Sequence, residues 1–95
     1  MSEILQLKAF AAAVHEGGLA AAGRRLDLTR SQVSKLVQAL EKRLGVVLLL
    51  RTSRRLQLTE AGREYHERVV DILARLAEAE QSLAGRQLEP QGPLR

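Results

Sequence analysis

The sequence predicts a mainly α-helical fold, in which three helices and a two-stranded hairpin precede one long helix, and three observations carry that prediction. Apolar residues recur at three- and four-residue spacing through most of the chain. The run Thr29-Arg30-Ser31-Gln32 has the form of a capping box, a helix start closed by reciprocal side-chain bonds. From Thr59 to Gly85 nothing but Gly62, tolerable so near a helix start, interrupts the periodicity. One helix of about 27 residues, ~40 Å long, is expected there.

Each element has its own signals. In the first helix, Ser2 to Glu16, the residues Ile4, Leu7, Phe10, Ala11 and Val14 turn one face inward. Ser2 is placed to cap it and Gly17-Gly18 to stop it. A second, shorter helix fits Leu19 to Leu26, where Ala20, Ala21 and Ala22 allow close backbone approach. Asp27 follows, one of the few non-glycine types that tolerates a left-handed turn. The third helix begins at the Thr29 capping box and ends at Gly45. It sets Val33, Val37, Leu40 and Leu44 against a polar face of Ser31, Ser34, Lys35, Gln38 and Lys42.

Val46-Val47-Leu48-Leu49-Leu50 suits a short buried strand. Strands over Val47 to Leu50 and Leu56 to Leu58, joined by Arg51-Thr52-Ser53-Arg54-Arg55, read as a basic hairpin. Beside the three helices, this makes a winged helix-turn-helix. Thr59 caps the long helix, whose residues Val69, Ile72, Leu76, Ala79 and Leu83 form a coiled-coil seam. Val70, Leu73 and Ala77 form a second stripe, so its start is expected to pack on the domain and its remainder on a partner. The expected division is a winged domain over 1–58, a dimerisation or linker helix over 59–86, and a hinge over 87–95 containing Pro90, Gly92 and Pro93.

Composition narrows the function. The chain has 95 residues, and its aromatics are Phe10 and Tyr65 alone, so the core is aliphatic and small. A core of that size gains from a partner subunit. No cysteine is present, which removes disulfides and thiolate chemistry. No membrane-spanning or signal-like run is seen, and a cytoplasmic domain is expected. His15 and His66 have no partner forced on them by spacing, and no glycine-rich phosphate loop exists. An enzyme, a metal site and a bound cofactor are therefore not expected.

The net charge of +4 is unevenly spread: Arg24 to Arg55 holds nine Lys or Arg against Asp27 and Glu41, whereas Thr59 to Arg95 has an acidic surplus of two. A polyanion would dock on the basic block. A helix entering a DNA major groove needs short or flexible hydrogen-bonding side chains on its outer face, which Ser31, Gln32, Ser34, Lys35 and Gln38 supply. Residues near its N-terminus come closest to the bases, favouring Arg30, Ser31 and Ser34. Gln32 is divided between base contact and its role in the capping box. Thr29 caps the helix, whose free N–H groups favour a phosphate oxygen. Arg51, Thr52, Arg54 and Arg55 in the wing suit backbone or minor-groove contact. Arg24 and Arg25 are weaker candidates, one expected to face phosphate and the other solvent.

Taken in order, these residues resemble the LysR-type transcriptional regulators along essentially the whole chain. Leu7-Lys8-Ala9-Phe10 with Val14 and Glu16-Gly17 is similar to that family's first helix. Ala21-Ala22, Arg24-Arg25-Leu26 and Leu28-Thr29 resemble its second helix and turn. Val33-Ser34-Lys35, Leu40-Glu41 and Leu44-Gly45-Val46 fall in its recognition helix, and Arg51-Thr52, Arg54-Arg55 and Leu58-Thr59-Glu60-Ala61-Gly62 in its wing and linker helix. Gly18-Leu19-Ala20 departs from the family's usual Ser-Phe-Thr, and Arg30 from a frequent proline. The resemblance implies a homodimer with antiparallel linker helices, double-stranded DNA carrying an inverted-repeat operator, and a small-molecule effector sensed by a C-terminal domain absent from this sequence. A winged-helix regulator of another family, such as a molybdate-responsive type, shares the fold with a different sensor. A winged-helix protein-interaction module has no use for the basic block, and a bare coiled-coil adaptor has none for residues before Thr59.

Overall fold

A computed structural model of the chain describes residues 2–51 and 55–87. The element order is α1 (Glu3–Glu16), α2 (Leu19–Leu26), α3 (Arg30–Leu44), β1 (Leu49–Arg51), β2 (Leu56–Leu58) and α4 (Glu60–Gln87). The caps sit where the sequence places them. Ser2 Oγ accepts from Leu5 N at 3.2 Å, Gly17 and Gly45 close α1 and α3 in the left-handed region, and Asp27 does the same for α2 at φ 61°.

Three helices pack around Phe10, which is fully buried with Val33, Val37, Leu40, Leu48 and Val69. Alanines let the helices close on one another: Ala9 and Ala13 of α1 and Ala22 of α2 are wholly inaccessible. At the α2–α3 turn the approach is tighter still. A Cβ on Gly23 would collide with the Leu28 carbonyl oxygen, and Leu28 N donates to Gly23 O at 2.8 Å. The beginning of α4 repeats the device, because a Cβ on Gly62 would strike the Leu48 carbonyl oxygen. Gly62 is therefore required rather than tolerated: α4 starts directly against the segment leading into β1.

Thr59 ties these pieces together. Its Oγ1 donates to Val47 O at 2.7 Å and accepts from Gly62 N at 2.9 Å, and its own N donates to Leu48 O at 3.0 Å. The hairpin is antiparallel, with Leu49 opposite Leu58 and Arg51 opposite Leu56. Beyond the domain α4 projects alone, giving a molecule of 57 × 24 × 21 Å.

Several expectations are corrected. Only Leu48 and Leu49 of the five-residue apolar run are buried, while Val46, Val47 and Leu50 are exposed. The strand begins at Leu49, because Leu48 and Val47 spend their carbonyls on Thr59. It also extends through Arg51, which was expected in the turn. Ile4 and Leu44 lie at helix ends beyond the core and are about two-fifths exposed. Gly85 does not stop α4, which continues to Gln87. Val69, expected in the partner seam, is fully buried in the domain's own core and has no surface left for a partner. Residues 88–95 of the expected hinge lie outside the described residues.

Candidate nucleic-acid interface

The outer face of α3 is built by one local rule. The capping box fixes the first turn: Thr29 Oγ1 accepts from Gln32 N at 3.0 Å, and Gln32 Oε1 accepts from Thr29 N at 2.8 Å. With Val33, Leu36, Val37 and Leu40 buried, 3.6-residue periodicity sends Arg30, Ser31, Lys35, Gln38 and Lys42 outward, where all are exposed. Ser34 sits half-buried between them.

The half-burial of Ser34 has a specific cause. Its Oγ accepts from Arg51 Nη1 at 2.8 Å and from Gln38 Nε2 at 3.3 Å. The first strand of the wing is thereby fastened to the middle of the helix. A serine hydroxyl holds two lone pairs and one O–H. With both acceptor positions used, the donor is what remains for an outside acceptor. Gln32 is committed in the same way, since its amide oxygen caps its own helix and only its N–H groups remain.

The basic block is sorted by these contacts. Arg25 Nη1 pairs with Glu16 Oε2 at 2.9 Å, linking α1 to α2. Arg43 donates from Nε and Nη2 to Gln6 Oε1, each at 3.1 Å, and so serves the α1–α3 packing. Glu41 is turned inward, its Oε2 accepting from Leu48 N at 2.8 Å and Leu49 N at 3.0 Å. Neither role shows in the sequence, where Glu41 and Arg43 are charges like their neighbours. The outward cations of α3 and β1 are then Arg30, Lys35, Lys42 and Arg51, on one side with Ser31 and Gln38. Arg24 and Arg55 are exposed. Thr52 and Arg54 lie outside the described residues.

Among the described residues no cluster of three His, Cys, Asp or Glu is placed to hold a metal ion, and no helix is long and apolar enough to cross a membrane. His66 instead meets the Phe10 ring edge-on, with centroids 5.9 Å apart. Burial holds its pKa below the usual 6.5, with Glu67 opposing and His15 reinforcing the shift.

The sequence model of the family described as "Bacterial regulatory helix-turn-helix protein, lysR family" matches residues 4–63, from α1 to the first turn of α4. The chain belongs to the LysR family. A LysR-family relative, an HTH-type transcriptional regulator of Xanthomonas campestris pv. campestris, is 46% identical over 86 residues, covering 90% of this chain and 25% of its own length. The regulator CrgA of Neisseria meningitidis serogroup C is 41% identical over 95% of this chain and 30% of its own length. The chain thus spans between a quarter and a third of these LysR-family relatives. Among solved structures, the CbnR DNA-binding domain in its DNA complex superposes with a TM-score of 0.79 at 38% identity, covering 90% of this chain and 99% of that one.

Proposed function

We propose that this chain binds double-stranded DNA as a homodimer, inserting α3 into the major groove and laying the wing against the phosphate backbone or minor groove. The observation that carries the reading is the Arg51–Ser34 bond at 2.8 Å, which sets wing and helix as one cationic, hydroxyl-bearing surface. Ser31, Lys35 and Gln38 project from that surface with groups suited to base edges, and Arg30, Lys42 and Arg51 with charges suited to phosphate. The similar CbnR domain was solved on DNA, and its 38% identity supports the same use here.

Dimerisation rests on α4. Its distal residues Ile72 and Leu83 are 46% and 64% exposed, apolar surface that the domain does not cover. Two copies joined there would meet an inverted repeat with half-sites in successive helical turns. The part of the LysR-family relatives that this chain does not span is where a small-molecule effector would act on transcription, in the cytoplasm. Selection from random duplexes followed by nuclease footprinting tests the reading. An inverted repeat protected over two adjacent major grooves is expected; no enrichment and no protection would refute it.

A further inference from the structure

Helix α3 carries two glutamines, and the fold leaves them with different hydrogen-bonding capacity. A primary amide offers one accepting oxygen and two N–H donors. Gln32 spends its oxygen on Thr29 N at 2.8 Å, so what it can turn outward is N–H alone. Gln38 is committed the other way. One of its N–H groups goes to Ser34 Oγ at 3.3 Å, and the oxygen and second N–H stay side by side on an exposed side chain.

The same bond fixes where that amide stands. Side chains of a helix lean towards its N-terminus, and Gln38 leans back one turn to reach Ser34. Its amide therefore lies level with Ser34, nearer the end of the helix that comes closest to the bases. Ser34 is held in turn, because its Oγ also accepts from Arg51 Nη1 at 2.8 Å. Contacts thus run from the wing strand through Ser34 to the amide, and three side chains from two elements aim one group.

The bases differ in what they offer such a group. In the major groove guanine presents two acceptors, thymine an acceptor and a methyl group, and cytosine a donor. Adenine alone sets a ring-nitrogen acceptor beside an amino donor. An amide with its acceptor and a donor both available is matched in full by that edge. Gln32, with donors only, gains nothing from the adenine amino group.

Resting on the DNA reading above, we propose that Gln38 is the residue of α3 that reads adenine, with Ser34 and Arg51 as positioning residues that aim its amide. Base choice at this position is then governed in part from the wing, which need not touch the base itself.

Selection from random duplexes with the parent and with Gln38→Ala tests the assignment. The parent is expected to prefer adenine about tenfold at one position of each half-site. Gln38→Ala should accept any base there and keep its preferences elsewhere. Gln38→Glu, whose carboxylate can only accept, should move the preference to cytosine. A duplex carrying 7-deazaadenine at that position lacks the ring-nitrogen acceptor and leaves the protein unaltered. It should bind the parent about fivefold more weakly and Gln38→Ala no differently. Ser34→Ala should lower the adenine preference at the same position, and Ser34→Thr, which keeps the oxygen, should restore it. If parent and Gln38→Ala select the same base at every position, or 7-deazaadenine binds the parent as adenine does, Gln38 is not the reader although the DNA reading stands. An adenine preference untouched by Ser34→Ala would remove the positioning role. A parent that enriches no sequence at all would remove the DNA reading itself.

Discussion

Arg51 Nη1 donates to Ser34 Oγ at 2.8 Å, so the wing strand β1 and helix α3 share a bond across 17 positions of sequence. Groups that share such a bond do not act independently. DNA affinities of Ser34→Ala, Arg51→Ala and the double variant should therefore be non-additive by about 0.5–3 kcal/mol. Simple additivity in a titration of labelled duplex would show that the bond has no part in recognition.

Lys35 is exposed one position beyond Ser34 and reaches the same side of α3. If it neutralises a phosphate, Lys35→Ala should flatten the slope of log K against log salt by ~0.9, with little change in sequence preference. A base contact would instead relax preference at one position of the site and leave the slope unaltered.

Gly62 separates two opposing effects cleanly. Alanine in a helix is ordinarily favoured over glycine by about 0.5–1 kcal/mol. Here its Cβ would strike the Leu48 carbonyl oxygen, which Thr59 N holds in place. Overpacking of this kind costs about 1–3 kcal/mol, so Gly62→Ala should lower the midpoint of urea unfolding rather than raise it.

Leu76 and Val69 lie seven residues apart on nearly the same line of α4 but do different work. Val69 is fully buried in the domain, and Leu76 is half-buried on the projecting part. Leu76→Glu should give a folded monomer in ultracentrifugation. Val69→Ala should instead lower thermal stability by about 0.5–3 kcal/mol.

The lowered pKa of His66 has a definite sign. The unfolded chain binds a proton at this site more readily than the folded one, so His66 contributes stability that is fully present above the unfolded value of about 6.5 and is lost as the pH falls from there through the lower folded pKa. Thermal unfolding between pH 7.5 and 5.5 should show a steeper loss for the parent than for His66→Gln. Parallel curves would place the pH dependence elsewhere.

Local signals were legible in the sequence, and contacts between distant segments were not. The Ser2 and Thr29 caps, the left-handed Asp27 and the polar face of α3 depend on neighbours within one turn, and each is found as the spacing implies. Glu41 reaching Leu48 and Leu49, Arg43 reaching Gln6, and Arg51 reaching Ser34 depend on where elements land in space. Val69 shows the same limit within one helix. Heptad spacing shows which side of a helix is apolar, whereas the place at which the domain stops covering that side is set by the packing of α1 on α4.

Tyr65 stands on α4 with its ring 5.9 Å from that of Phe10 on α1, and the chain has no tryptophan. Ultraviolet emission from the unmodified protein therefore originates where the base of α4 packs on α1. Any event that tilts the long helix on its base, whether assembly, operator engagement or heating, reports itself optically without a label.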